Sequence, residues 1–390
     1  MNTIPRFILH TTLCLSLLAL PLLHGEEAPS LPAVNQLGFH VFKYFSQQQK
    51  ESYKSFTFSP LNMVSSLELI KGLSPESSRQ QIETILGSGK NYDTLTQCLP
   101  RQNSRSHTAT TNFFLFINNK FKMPKGYPYT KLAVRKDFTH GDKLVEEINQ
   151  WVQYKSEGGF TSSFTPEQIH PQLRFILTSI LDVRLTWEFP FYRNKTKNSK
   201  FYIAPGHSLI VPMMKHDLLP CAHGKEKGYS FVSIPCKPNP DGHQIAMTCI
   251  MPTTRQSLQD FIARLTQEQL KKILATPKSD QNIQAYIVLY LPRFGNKSKA
   301  MDMISPVSSF PALEGCFTTL PEERGIWKQS CIIRVSEEGV RARAIDESTD
   351  PFGGGTQTYI FNRPFMWVIH DTTEPLMLFM GVFSPQPTKN

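Results

Sequence analysis

The residues that carry chemistry in most enzymes are present in this chain, but they do not gather into motifs. The histidines stand singly, from His40 and His107 to His243 and His370, and a lone histidine is ordinarily a surface or hydrogen-bonded residue. There is no GxSxG nucleophile elbow, no HExxH helix, no phosphate-binding loop and no GxGxxG followed by an acidic ribose ligand. Gly353-Gly354-Gly355 offers backbone amides to an anion, yet no Lys-Ser/Thr follows and strand-like residues come next, so it reads as a loop tip. No CxxC pair is present to form a zinc ribbon or a redox site. These absences argue against an enzyme, and no catalytic residue, cofactor or metal is expected.

Two other patterns carry surface chemistry. Lys120, Lys122, Lys125, Lys131, Arg135 and Lys136 follow one another without an acidic residue before Asp137. Such a run attracts sulfated glycans, and its spread around Pro124, Gly126 and Pro128 fits a solvated loop as well. Asn194-Lys195-Thr196 and Asn296-Lys297-Ser298 are acceptor sequences for N-linked glycans if the chain is secreted. Residues 1–25 predict secretion: Arg6 is their only charged side chain, Phe7 to Leu23 is apolar but short for a spanning helix, and Gly25 precedes Glu26 and Glu27. The mature chain is then 26–390, extracellular and without a membrane span. It keeps six cysteines, Cys98, Cys221, Cys236, Cys249, Cys316 and Cys331, too sparse for a disulfide framework and with their pairing left open.

What must position these residues is a large folded body. The 390 residues are 40% hydrophobic and 19% charged, ample for a core, and the net charge of +10 favours solubility without marking a nucleic-acid binder. In the first half the pattern is mostly helical. Ser59-Pro60 and Ser74-Pro75 each place a capping hydroxyl before a proline at the first helical position, and Leu144, Ile148, Trp151 and Val152 share one helical face. After residue 170 apolar runs dominate: Phe175 to Leu177, Leu209 to Val211, Ile245 to Met251, Ile283 to Leu291, Cys331 to Val335, Tyr359 to Ile369 and Leu376 to Phe383 read as strands. A helical island lies around Leu258 to Leu265, followed by a capping box from Thr266 to Gln269. The plan is α+β in one domain, with no repeat and no long linker.

Tyr359-Ile-Phe-Asn-Arg-Pro-Phe-Met-Trp-Val-Ile369, followed by Phe379-Met380-Gly381 and Ser384-Pro385, closely resembles the signature segment of the serpins. Phe58-Ser-Pro-Leu61, Ile148-Asn-Gln-Trp-Val152, Trp187-Glu-Phe-Pro-Phe191, Pro212-Met-Met214 and Leu291-Pro-Arg-Phe294 support the resemblance in the family's order, over about residues 35 to 386. It implies three β-sheets, eight or nine helices and an exposed reactive loop, here about 337–358. In inhibitory serpins a serine protease cleaves that loop, becomes acylated, and is carried along as the loop enters the main sheet as an extra strand. Sixteen residues on from Glu337 the reactive bond falls at Gly353-Gly354; a shifted register would make Phe352 the specificity residue and the target chymotrypsin-like.

The hinge departs from the family's pattern of small residues. Glu337-Glu338-Gly339 resembles its start, but Val340-Arg341-Ala342-Arg343-Ala344-Ile345-Asp346 follows. If Val340, Ala342 and Ala344 face the core of the sheet, Asp346 is buried with them. The hydrogen-bonded cluster that the family holds beneath its opening strands maps here onto Asn62, Ser179 and Gln329, beside Ser59, while Asp182 and Leu185 replace an aromatic residue and a glycine. The expected protein is a secreted monomeric serpin that binds or carries a partner, a small apolar ligand or a sulfated glycan, and inserts its loop poorly. The alternative is an active suicide-substrate inhibitor of an elastase-like or chymotrypsin-like serine protease.

Overall fold

The computed structural model describes residues 31–49, 54–86, 107–161, 163–238, 244–253, 257–275, 286–317, 325–340, 357–373 and 376–387. The strands are β1 (Phe56–Phe58), β2 (His107–Asn118), β3 (Ala133–Lys136), β4 (Phe175–Thr186), β5 (Lys197–Ala204), β6 (His207–Pro220), β7 (Ala222–Glu226) and β8 (Tyr229–Pro235). They continue with β9 (Ile245–Pro252), β10 (Tyr286–Pro292), β11 (Phe294–Asp302), β12 (Ile326–Val335), β13 (Gly339–Val340), β14 (Gln357–Ile360), β15 (Phe365–Asp371) and β16 (Leu376–Phe383). Seven α-helices lie among the described residues, against the eight or nine expected: α1 (Leu31–Gln47), α2 (Pro60–Lys71), α3 (Glu76–Leu86), α4 (Gly141–Lys155), α5 (Leu258–Arg264), α6 (Gln267–Ala275) and α7 (Ile304–Ser308).

Local chemistry accounts for most of these boundaries. Ser59 is extended at φ −117°, and its side chain accepts from Asn62 N with Pro60 at the first helical position, so α2 starts where the Ser-Pro pair predicts. Ser74 behaves differently. Its hydroxyl donates back to Ile70 O at 2.9 Å, which ties it to the last turn of α2. The capping box forms as expected, with Thr266 N donating to Gln269 Oε1 at 2.9 Å and Gln269 N to Thr266 Oγ1 at 3.2 Å.

Three sheets result, an α+β fold as the sequence implies. The long-strand sheet runs β11-β12-β4-β2-β3, with β13 against the end of β4; the second runs β1-β16-β15-β9-β8-β7, and the third β14-β10-β6-β5. β15 and β16 are buried along their whole length. The run Tyr359 to Ile369 divides at Asn362-Arg363-Pro364, which sends β14 and β15 into different sheets. The twelve-residue β2 interrupts the helical pattern expected of the first half and is hydrogen-bonded to β4 over eleven residue pairs. α4 lies over the long-strand sheet and packs Leu144, Ile148 and Val152 with Phe116, Ile176, Ile180 and Ile332; Trp151 stacks on Phe114 at 4.8 Å.

Candidate functional site

The site is the seam between β4 and β12 and the chain that leaves its upper end. Gly339 opens β13 at φ +139°, and a Cβ there would meet Leu185 O at 2.1 Å and Thr186 Cα at 2.7 Å, so only glycine fits. Antiparallel pairing then sets Gly339 opposite Thr186 and Val340 opposite Leu185. Trp187-Glu-Phe-Pro-Phe191 cradles the residues before it. Trp187 Nε1 donates to Ser336 O at 2.9 Å, Trp187 N to Glu338 O at 3.1 Å and Phe191 N to Glu337 O at 2.7 Å.

Glu337 and Glu338 are 4% and 6% exposed, and buried carboxylates need partners. Glu337 Oε1 accepts from Thr196 Oγ1 at 2.7 Å and faces the Arg293 guanidinium at 3.4 Å; Glu338 pairs with Arg193. These partners come from the chain between β4 and β5 and from the single residue between β10 and β11. The loop base is therefore tied down through residue 340, and the far end of the expected loop re-enters the fold as β14, whose parallel pairing sets Ile287 opposite Gln357. Arg341, Ala342, Arg343, Ala344, Ile345, Asp346, Phe352, Gly353 and Gly354 lie outside the described residues.

Below this point the seam is closed. β12 and β4 run parallel in direct register from Ile326 opposite Ile176 to Ile333 opposite Val183. Gln329 and Ser179 are opposite each other, and α2 brings Ser59 and Asn62 beneath them. Ser179 Oγ donates to Asn62 Oδ1 at 2.8 Å, Gln329 Nε2 to the same oxygen at 2.7 Å, and Ser59 N to Gln329 Oε1 at 2.7 Å. All four residues are at most 3% exposed. One donor of the network, Asn62 Nδ2, has no protein acceptor. On the α4 side, Lys328 Nζ donates to Ser163 O at 3.0 Å and Gln168 Oε1 at 2.7 Å and lies 4.1 Å from the Phe164 ring centroid. That cation ties β12 to the segment following α4.

A family model described as "Serpin (serine protease inhibitor)" matches residues 32–385. The chain belongs to the serpin family. Among its relatives, human Serpin I2 is 23% identical, with 92% of this chain and 93% of that protein covered. Uncleaved ovalbumin superposes with a TM-score of 0.73 at 18% identity, covering 91% of this chain and 100% of that one. The thyroxine-binding globulin complex with thyroxine gives 0.72 at 16% identity, over 90% and 98% of the two chains.

In this serpin the two sequon asparagines sit in different surroundings. Asn194 is exposed in a short 3₁₀ turn. Asn296, expected to accept a glycan, is 2% exposed on the inner face of β11, and its Nδ2 donates to Val382 O at 2.7 Å. The nitrogen that a glycan would occupy is spent on the core, which counters the glycan expected there. The cysteines Cys221, Cys236, Cys249, Cys316 and Cys331 are free thiols, and burial pushes each thiol pKa up. The basic run closes on itself. β2 and β3 pair in parallel, Asn119 N donates to Lys136 O at 2.7 Å, and Tyr127 OH donates to Leu69 O at 2.8 Å. The partners of the hinge glutamates, Arg193, Thr196 and Arg293, had no signal in the sequence because each is set by a contact across more than 40 residues. Among the described residues no helix is long and apolar enough to cross a membrane.

Proposed function

We propose that this serpin is a secreted glycoprotein whose loop inserts poorly, so that it binds or carries a partner and yields to a protease as a substrate more readily than it traps one. One observation carries the reading: the register in which the hinge meets β4. Continuing the ladder of Gly339 with Thr186 and Val340 with Leu185 would set Ala342 opposite Val183, Ala344 opposite Leu181 and Asp346 opposite Ser179. Val183, Leu181 and Ser179 are at most 2% exposed, and all three face the main core or its polar network. Asp346 would thus bring a carboxylate into the closed network of Ser59, Asn62, Ser179 and Gln329.

Insertion also has to part eight consecutive residue pairs of the β4–β12 seam and lift the segment that Lys328 holds. The presence of a thyroxine-binding globulin among the structural neighbours supports a carrier role for the same fold. The closed basic loop supports a sulfated glycan as a further partner: Lys120, Lys122, Lys125, Lys131 and Arg135 are exposed, and Arg135 Nη2 is fixed on Asn119 O at 2.7 Å. Secretion rests on the leader-like residues 1–25, which lie outside the described residues, and the glycan is assigned to Asn194.

The test is a thermal melt of the native protein against the same protein cleaved between Thr349 and Thr356. An inserting loop adds a strand to the sheet and raises the melting point steeply. Little or no rise is expected here; a large rise would establish insertion and return the inhibitor reading.

A further inference from the structure

We propose that the outer face of the β11–β12 ladder carries an anion site, a notch floored by Gly295 and walled by Arg293, Lys297 and Arg334. It takes a doubly charged oxyanion, a sulfate or phosphate ester, and shares Arg293 with the hinge glutamate Glu337.

The placement follows from strand geometry. Side chains alternate along β11, where Phe294, Asn296 and Ser298 are buried while Gly295 and Lys297 are exposed, as is Arg293 just before the strand. Gly295 pairs with Arg334 across the ladder, which puts the arginine opposite the glycine and diagonal to Lys297, roughly 7–8 Å from it at Cα, while Arg293, just before β11, lines the same depression. Three cations therefore ring a position with no side chain. Together with Phe294, Ile333, Val335 and Ser336 they line a depression of about 520 Å³ that contains no acidic residue.

The backbone does not require glycine at this position. Gly295 has no left-handed φ, and a Cβ there would meet Ile333 O at 3.5 Å and Arg334 Cγ at 3.8 Å, ordinary contacts. What glycine leaves is open floor between like charges, which repel one another until an anion joins them. A tetrahedral dianion presents several acceptor oxygens to three cationic side chains at once.

Arg293 makes the notch more than a surface patch. Its Nη1 lies 3.4 Å from Glu337 Oε1, at the root of the reactive loop. An oxyanion in the notch competes with Glu337 for that guanidinium, so occupancy and the hold on the loop base are linked in both directions.

Calorimetric titration of the whole protein with inorganic phosphate, at fixed ionic strength and pH 7.4, tests the site. The expected result is saturable binding at one site. Arg334→Gln and Lys297→Gln should each weaken it by about tenfold, the loss of one charge-assisted bond. Gly295→Leu should abolish it by filling the floor, and Glu337→Gln should tighten it several-fold by freeing Arg293. Lys120→Gln with Lys122→Gln should leave it unchanged. Titrations with glycerol 3-phosphate and with a sulfated disaccharide then identify the ester, and whichever binds more tightly names the source. Absence of saturation overturns the proposal, as does phosphate binding that survives both Arg334→Gln and Gly295→Leu. Should Gly295→Leu fail to fold, the surface variants Arg334→Gln and Lys297→Gln decide alone. No protease enters the experiment, so its outcome is independent of whether the loop inserts.

Discussion

Asp346→Asn removes one charge from the hinge and leaves the shape of the side chain in place. In the register set by Gly339 and Val340, residue 346 arrives opposite Ser179 in the fully enclosed network beneath the seam. A carboxyl group entering such a site can always protonate, which sets a ceiling on its cost. With an ordinary pKa near 3.9, that ceiling is about 5 kcal/mol at pH 7.4 and about 1.5 kcal/mol at pH 5. Asn62 Nδ2 lacks a protein acceptor and could offer one charge-assisted hydrogen bond, an offset of roughly 1.5–3 kcal/mol. The net penalty at pH 7.4 is then about 2–3 kcal/mol. Guanidinium unfolding of the loop-cleaved form is the assay. The Asp346→Asn variant, whose loop can enter where the parent's stays out, should be more stable than the parent by up to that amount at pH 7.4, and the difference should shrink to about 1 kcal/mol or less at pH 5. Histidine titration in this range is common to both proteins and cancels. Equal stability at both pH values would refute the reasoning, because the charge of Asp346 would then not be what limits entry of the loop.

Other consequences are simpler to measure. Asn194→Gln should remove the N-linked glycan from secreted protein, seen as a loss of mass; Asn296→Gln should leave the mass of the glycan unchanged and lower stability by about 1–2 kcal/mol, because the Val382 O contact is broken. Burial lowers the pKa of His370 and of His216 to about 4 and keeps both imidazoles neutral in the folded chain. The unfolded chain takes up protons below about pH 6.5, so stability is full above that value and falls between pH 6.5 and 4, by on the order of 3 kcal/mol for His370. Denaturant unfolding across that window checks the slope, and His370→Asn should flatten it. Replacing Lys120, Lys122 and Lys125 by Gln should lower the salt concentration that elutes the protein from a sulfated-polysaccharide column and leave its melting point unchanged; an unchanged elution would remove the glycan assignment.

Much of the fold is legible in the sequence because its landmarks act locally or in order along the chain. Ser59 caps α2 through its own neighbour Asn62, and Thr266 and Gln269 close a capping box on each other. The polar cluster of Ser59, Asn62, Ser179 and Gln329 assembles as the family resemblance implies, since each residue has the right position in its element. β2 was hidden because its run His107 to Asn118 alternates poorly, and its identity comes from pairing with β4. Asn296 misled as a sequon. The signal that could have corrected it was the period-two pattern Phe294, Asn296, Ser298 against Gly295 and Lys297, which puts the asparagine on the buried face. Lys328 shows the opposite limit, for its contacts with Ser163 and Gln168 join segments 160 or more residues apart, and no periodicity announces them.

The most direct test of the central claim is incubation of the native protein with an elastase-like and a chymotrypsin-like serine protease, read on a denaturing gel after boiling. A trapping serpin holds its acylated protease covalently, whereas a loop that cannot insert in time is released as a shortened chain. The hinge chemistry predicts a cleaved band only, cut between Thr349 and Thr356, with the protease left active. A boiling-resistant band with the combined mass of serpin and protease would contradict it.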